Sequence, residues 1–213
     1  MGFSWKEDRA KERIETRYEE VRKVEIVDYK RDMSLENIPA KKAYRMDAAH
    51  LYIDIVNLDE ILACTTIEGE TCHKRTLRFL NQHYRAVHRI IQKTDAIRVD
   101  FHNQRLHAVV AKPYGEDSER DRISHAVAIA QLVRDVLAET GDDDEQIPNA
   151  NVRVGIDSGR ALVVNNGRRG GREPLFLGHP ANHAAKCAGA GTSEGIYLTN
   201  HARAVMGFPV LAT

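Results

Sequence analysis

The segment Gly178-His-Pro-Ala-Asn182-His-Ala-Ala-Lys186 decides how this chain is read. It follows two short strand-like runs and is expected to open a helix. Asn182 and Lys186 lie four positions apart, so one helical face projects both into the same space. An amide able to bond a sugar oxygen, one turn from a cation able to neutralise a phosphate, suits chemistry on a nucleotide. An ordinary packed helix with a buried asparagine would also satisfy the segment, so the rest of the chain has to decide.

Working outward, the preceding residues read as a hairpin. Asn151-Val-Arg-Val-Gly-Ile156 and Arg160-Ala-Leu-Val-Val-Asn165 are its strands, joined through Asp157-Ser-Gly159, and a glycine-rich stretch, 166–171, leads to Pro174–Leu177. Gly195–Thr199 is a late strand followed by a short helix. Toward the N-terminus, Ile97–Phe101 and Arg105–Val110 form a second expected hairpin, with Asn103 as its turn residue. The first strong strand is His50–Ile55. Leu51, Ile53 and Ile55 would face a core, and His50, Tyr52 and Asp54 would face the other side. Packing alone gives no reason for a carboxylate on such a strand.

Between these strands lie two helical patterns. Leu58 to about Lys93, with a possible break at Gly69, carries Leu77, Leu80, Tyr84, Val87 and Ile91 at helical spacing. Residues 119–139 carry Ile123, Ala126, Ile129, Leu132, Val133 and Val136. Residues 5–22 are dense in charge and read as a solvated helical arm, followed by a short edge strand near Val24–Val27 and an ordered loop over 30–46. The acidic run Gly141–Glu145 reads as a solvated loop. The order β-α-β-β-α-β with an added hairpin is an α+β, split βαβ, ferredoxin-like plan. It divides the chain into a lead-in, 1–46, and one domain, 47–213.

Bulk properties narrow the function. The 213 residues include 31 Lys plus Arg and 31 Asp plus Glu, so no net basic field argues for polymeric nucleic acid. Aromatic residues are only 6%, which also argues against a base-stacking surface. Cys64, Cys72 and Cys187 show no zinc spacing and read as reduced thiols of a cytoplasmic protein. No apolar run reaches the roughly 20 residues of a membrane span. His73, His83, His88 and His107 form no convincing metal pattern.

The opening segment closely resembles the Gly-Asn-x-Val-Asn-x-Ala-x-Arg helix of class III nucleotidyl cyclases, and the element order matches their catalytic domain over about residues 48–206. That resemblance implies that Asn182 orients the ribose and that Lys186, in place of the family's arginine, stabilises the transition state. Lysine keeps the charge but not the bidentate fork. Asp54 and Ile55 resemble the family's first metal aspartate and the residue whose carbonyl also meets a metal. Asn57-Leu58 stands where the family has Gly-Phe, at a helix start suited to terminal phosphates. Gly155-Ile156-Asp-Ser-Gly159 matches Gly-Ile-x-x-Gly.

Departures from the family are as informative. The Gly-Asp that normally carries the second metal ligand aligns with Asn103-Gln104. Strand alternation instead points to Asp100, on the side of Tyr52 and Asp54 and on a strand expected to be adjacent. Tyr52 and Arg98 would face the cleft, toward base or phosphate. Neither the adenine-reading nor the guanine-reading pair is present; Asp100 and Leu175 stand at the nearest positions, and Leu175 cannot hydrogen-bond a purine edge.

Ser34–Pro39, His50–Asp54, Arg105–Val110 and Pro180–Lys186 look like the stand-alone pyrimidine cyclases of the bacterial Pycsar anti-phage system. The resemblance implies conversion of UTP or CTP to a 3′,5′-cyclic mononucleotide that acts on a separate effector. It also implies two Mg2+ or Mn2+ ions per site and a head-to-tail homodimer with composite sites. The compactness of the chain favours the uridylate branch. The alternatives are a nucleotide-binding module without turnover, an adenylate cyclase with an atypical base pocket, and a scaffold for protein contacts.

Overall fold

The computed structural model describes residues 6–35, 37–63, 71–102, 104–143, 146–166 and 173–212. Its axis is one long strand, β2 (Lys42–Ile55), preceded by α1 (Glu7–Arg22) and β1 (Glu25–Asp28). After β2 come α2 (Leu58–Ala63), α3 (Thr71–Lys93), β3 (Ile97–His102), β4 (Arg105–Val110), α4 (Glu119–Leu137) and β5 (Val152–Asn166). The chain then forms β6 (Glu173–Leu177), α5 (His179–Ala190), β7 (Gly195–Leu198) and α6 (Asn200–Met206). The sheet runs β3-β4-β2-β5-β6; β1 pairs in parallel with β2, and β7 in parallel with β5. This is the α+β, split βαβ plan expected from the element order.

Alternation along β2 divides the molecule. Leu51, Ile53 and Ile55 enter a core closed by α3, α4 and α6, through Phe79, Ile91, Ile123, Ile129, Leu137 and Ala202. Tyr44, Met46 and Ala48 point the other way and are buried with Val109, Val163 and Phe176 beneath the lead-in residues Met33, Leu35 and Ile38. Farther along that second face lie His50, Tyr52 and Asp54, so the same strand passes from an apolar floor to a polar end.

Three expectations change. The stretch read as a loop up to residue 46 is partly strand, because β1 supplies a parallel partner for Lys42–Arg45. The hairpin expected at Asp157–Gly159 does not exist: β5 is continuous, and its register on β2 runs without a break from Val152 to Val163. Gly159 takes φ +142, and a Cβ there would meet Pro180 at 3.0 Å, so this glycine admits a close approach rather than a reversal. On α3 the buried stripe is Phe79, Val87, Ile90 and Ile91, while Leu77 is 65% exposed; on α4, Leu132 is exposed and Ala130 and Leu137 are buried. Gly69, Asn103 and the glycine-rich stretch from 167 to 171 lie outside the described residues.

α5 crosses the second face of the sheet against Gly155. A Cβ on Gly155 would stand 2.1 Å from the Ala184 carbonyl oxygen and 2.4 Å from the Ala188 nitrogen. Backbone on both sides leaves no side chain able to yield. Gly155→Ala should therefore lower unfolding free energy by at least about 3 kcal/mol, by urea denaturation. Gly189→Ala on the same helix, where the nearest atom is 4.0 Å away, should be neutral or mildly stabilising. Equal behaviour of the two variants would refute this account of α5 packing.

Candidate active site

Cross-strand register brings the polar residues of β2 together with those of β4 and β5. Asp54 lies opposite Arg105 on one side and Arg153 on the other. Asp54 is 5% exposed. Arg105 donates to both oxygens, Nε to Oδ1 at 2.5 Å and Nη2 to Oδ2 at 2.6 Å. This bidentate bond holds the Arg105 guanidinium above its ordinary pKa. Arg153 turns aside and donates to the Gly191 carbonyl at 2.6 Å, just beyond the end of α5.

Two residues earlier on β2, Tyr52 lies opposite His107 and Gly155. Tyr52 and His107 stack with ring centroids 4.3 Å apart and planes 13° from parallel. Burial raises the Tyr52 phenol above its usual pKa; Arg105 opposes that shift and Asp100 adds to it, so the hydroxyl stands within reach of both charges. Deeper still, His50 Nδ1 and His107 Nε2 are 3.1 Å apart, and Phe176 meets both rings edge-on. His50 Nε2 is buried without a partner. An unpaired lone pair costs less than an unpaired N–H, so His50 is best assigned as donor from Nδ1 to His107.

Asp100 reaches this face by a bulge. The β3–β4 register shifts between Arg98 and Asp100, which sets Asp100 opposite His107. Val99 packs with Val109 on the same face, not in the helix-side core as simple alternation expected. Asp100 is exposed, and its Oδ1 accepts from the Phe101 N–H at 2.7 Å.

The expected adjacency of the two carboxylates is corrected. β4 lies between β2 and β3, and Asp100 is level with Tyr52 rather than Asp54, so two strand spacings and two residues of rise put the Cα atoms of Asp54 and Asp100 about 12 Å apart. Arg98 is also corrected: it pairs with Ala108, whose side chain is in the helix-side core, and so leaves the sheet away from Tyr52.

Leu175 likewise turns away. Its neighbour Phe176 occupies the cleft face, and alternation along β6 sends Leu175 to the other side. The Asn57 side chain is buried between Asn149 and Asn151, donating to the Asn149 carbonyl and accepting from the Asn151 N–H. Leu58 is in the core, as is the Ile55 side chain. From Ile55, Asn57 and Leu58, only backbone groups are free to meet a ligand.

On α5, Ala181, Ala184 and Ala188 face the sheet, and Asn182 and Lys186 project from the opposite side. They share a face, as their spacing implies, and both are exposed. The adjacent His183 Nδ1 lies 3.2 Å from buried Asp157, which also accepts from Thr199 at 2.5 Å.

Sequence reading missed Arg105, Arg153, His107 and Phe176. Only strand register places them beside Asp54 and Tyr52. Asp54 and the Ile55 carbonyl suit a hard divalent cation in type, with Arg105 now on the Asp54 oxygens. Asp100 offers the same kind of donor but stands a strand away, so it would hold a separate ion.

A fold of this order, with an aspartate ending the central strand and an Asn-x-x-x-Lys helix, is that of a nucleotidyl cyclase. The chain belongs to the adenylate and guanylate cyclase catalytic domain family, whose model matches residues 42–209. It is 61% identical over 209 residues to a curated uridylate cyclase of Pseudomonas aeruginosa, covering 97% of this chain and 41% of that protein. It is 39% identical over 178 residues to a uridylate cyclase of a Rhizobium species, covering 83% of this chain and 34% of that one. A solved class III adenylyl cyclase-like ATP-binding protein from P. aeruginosa superposes with TM-score 0.92 at 60% identity, over 99% of this chain and 45% of that one. The chain thus spans less than half the length of these relatives, and compactness carries no weight in choosing the base. Among the described residues no helix is long and apolar enough to cross a membrane.

Burial drives the His50 pKa down to about 3 and lowers that of His107, which also feels His50. The unfolded chain takes up these protons below about pH 6.5, and the folded chain does not until far lower. Stability should therefore fall as pH drops, by about 2 kcal/mol for His50 between pH 7 and 5. Urea unfolding at both pH values should show the loss, and His50→Gln should reduce it by that amount. An unchanged pH dependence in the variant would exclude His50 as its source.

Proposed function

We propose that this chain is the catalytic domain of a pyrimidine nucleotide cyclase, converting UTP, or CTP, to the 3′,5′-cyclic mononucleotide and pyrophosphate. The observation that carries the reading is the division of the site. Asp54, Tyr52 and Asp100 line one face of the sheet, while Asn182 and Lys186 stand exposed on a separate element, on the side of α5 roughly opposite its buried alanines. Two chains set head to tail would bring the first set of one copy to the second set of the other, with two composite sites. Both curated relatives are named uridylate cyclases, which favours UTP.

In this reading Asn182 of one copy fixes the ribose, and its Lys186 neutralises charge developing on the α-phosphate. The 3′-oxygen attacks the α-phosphorus, the bond to the β-phosphate oxygen breaks, and pyrophosphate leaves with the electron pair. Magnesium or manganese ions, held by Asp54, the Ile55 carbonyl and Asp100, would neutralise the triphosphate and ease deprotonation of the 3′-hydroxyl. Tyr52, braced by His107, presents its hydroxyl to the base edge. Terminal phosphates meet the backbone at Asn57-Leu58. The product acts in the cytoplasm on a separate effector during anti-phage defence.

A second reading, nucleotide binding without turnover, is favoured by the Arg105 fork that occupies Asp54 and by the ATP-binding description of the P. aeruginosa structure. Incubation with ATP, GTP, CTP and UTP plus manganese, with products identified by mass spectrometry, separates the two. Cyclic UMP or cyclic CMP, lost in Asp54→Ala, is the expected result. Cyclic AMP would overturn the base assignment, and binding without any product would favour the second reading.

Mixing inactive Asp54→Ala and Asn182→Ala chains should restore about one quarter of wild-type activity, since half the dimers would carry one intact site. No recovery, with dimers of both variants formed, would exclude a shared site.

A further inference from the structure

Asp54 has little open surface. It is 5% exposed, and both of its oxygens accept from one guanidinium. A cation that takes an oxygen of Asp54 must stand within a few ångströms of the Arg105 charge. The two neighbouring arginines differ in their freedom to move. Arg153 is pinned: its Nη1 donates to the Gly191 carbonyl, and a Cβ on Gly191 would stand 2.6 Å from its Cδ. The Arg105 side chain is 43% exposed, opens β4 beside the hairpin tip, and has Asp54 as its hydrogen-bond partner. The helix beside it carries Gly189, where even an added Cβ would come no nearer than 4.0 Å to Nη2, so the guanidinium has room to leave.

We propose that Arg105 is a resident counter-ion that competes with the divalent cation for Asp54 and passes to the phosphates of the nucleotide when cation and nucleotide enter together. The inference rests on the proposed reading of Asp54 as a metal ligand. Charge gives it direction. A divalent ion placed on Asp54 repels the guanidinium, and the triphosphate that accompanies the ion is an anion able to receive its planar fork. Free cation is thereby kept off the site, while cation with nucleotide is admitted. Lysine at this position would hold one oxygen at a time and guard less well.

The test counts bound Mn2+ by electron paramagnetic resonance in wild type, Arg105→Gln, Arg105→Lys, Asp54→Asn and the Arg105→Gln/Asp54→Asn double variant. Each is titrated with and without α,β-methylene-UTP. Arg105→Gln should bind Mn2+ alone at least tenfold more tightly than wild type, a gain that the added Asp54→Asn removes. The same variant should bind the nucleotide analogue at least tenfold more weakly, and Arg105→Lys should lie between.

If Arg105→Gln and Arg105→Lys bind free Mn2+ no more tightly than wild type, while Asp54→Asn still abolishes Mn2+ binding with the analogue, the counter-ion inference falls and the metal reading stands. If the gain in Arg105→Gln survives Asp54→Asn, the ion lies elsewhere and both fall. Circular dichroism reports folding; should Arg105→Gln fail to fold, the Arg105→Lys comparison decides alone.

Discussion

The contact of α5 with Gly155 sets the geometry of the site. Ala184 and Ala188 bring helix backbone against strand backbone, and no residue larger than glycine fits beneath them. Because the alanine stripe must face the sheet, the positions roughly opposite it on the helix, including Asn182 and Lys186, must face outward. The outward placement of these groups is therefore a packing consequence of three alanines and one glycine. On the same sheet face, beside this contact, lie Tyr52 and Asp54 of β2 and His107 of β4.

Along that surface polarity rises in order. Tyr44, Met46 and Ala48 are sealed beneath the lead-in segment. His50 and His107 come next, buried and neutral, joined to each other and edged by Phe176. Tyr52 is half-buried against His107, and Asp54 ends the series between two arginines. The buried histidines give the tyrosine a stiff support at a cost, since their charged forms are excluded from the fold. A carboxylate as deeply set as Asp54 also needs a countercharge, and Arg105 supplies it through both donors.

The bulge at Val99 and the unbroken β5 show how small backbone features redirect function. A single extra residue in β3 carries Asp100 to the face of His107 and leaves Arg98 on the other. The absence of a reversal at Gly159 lets β5 run the length of β2, so that Gly155 near one end and Val163 toward the other belong to one rail. A hairpin there would have taken Gly155 and the α5 start out of one continuous frame.

The sequence by itself determined the element order, the identity of β2 as a strand with a carboxylate on its non-core side, and the pairing of Asn182 with Lys186 on one helical face. Those are local properties, fixed by periods of 2 and 3.6 residues. It also carried the family, because the motifs keep their order. Tertiary structure alone decided what Asp54 touches, which strand separates it from Asp100, and where Arg98 and Leu175 point. These depend on register, a bulge and strand order, which join residues such as Asp54 and Arg105, 51 positions apart. No local pattern encodes that pairing, because a slip of one residue reverses every side chain on a strand while leaving its composition unchanged.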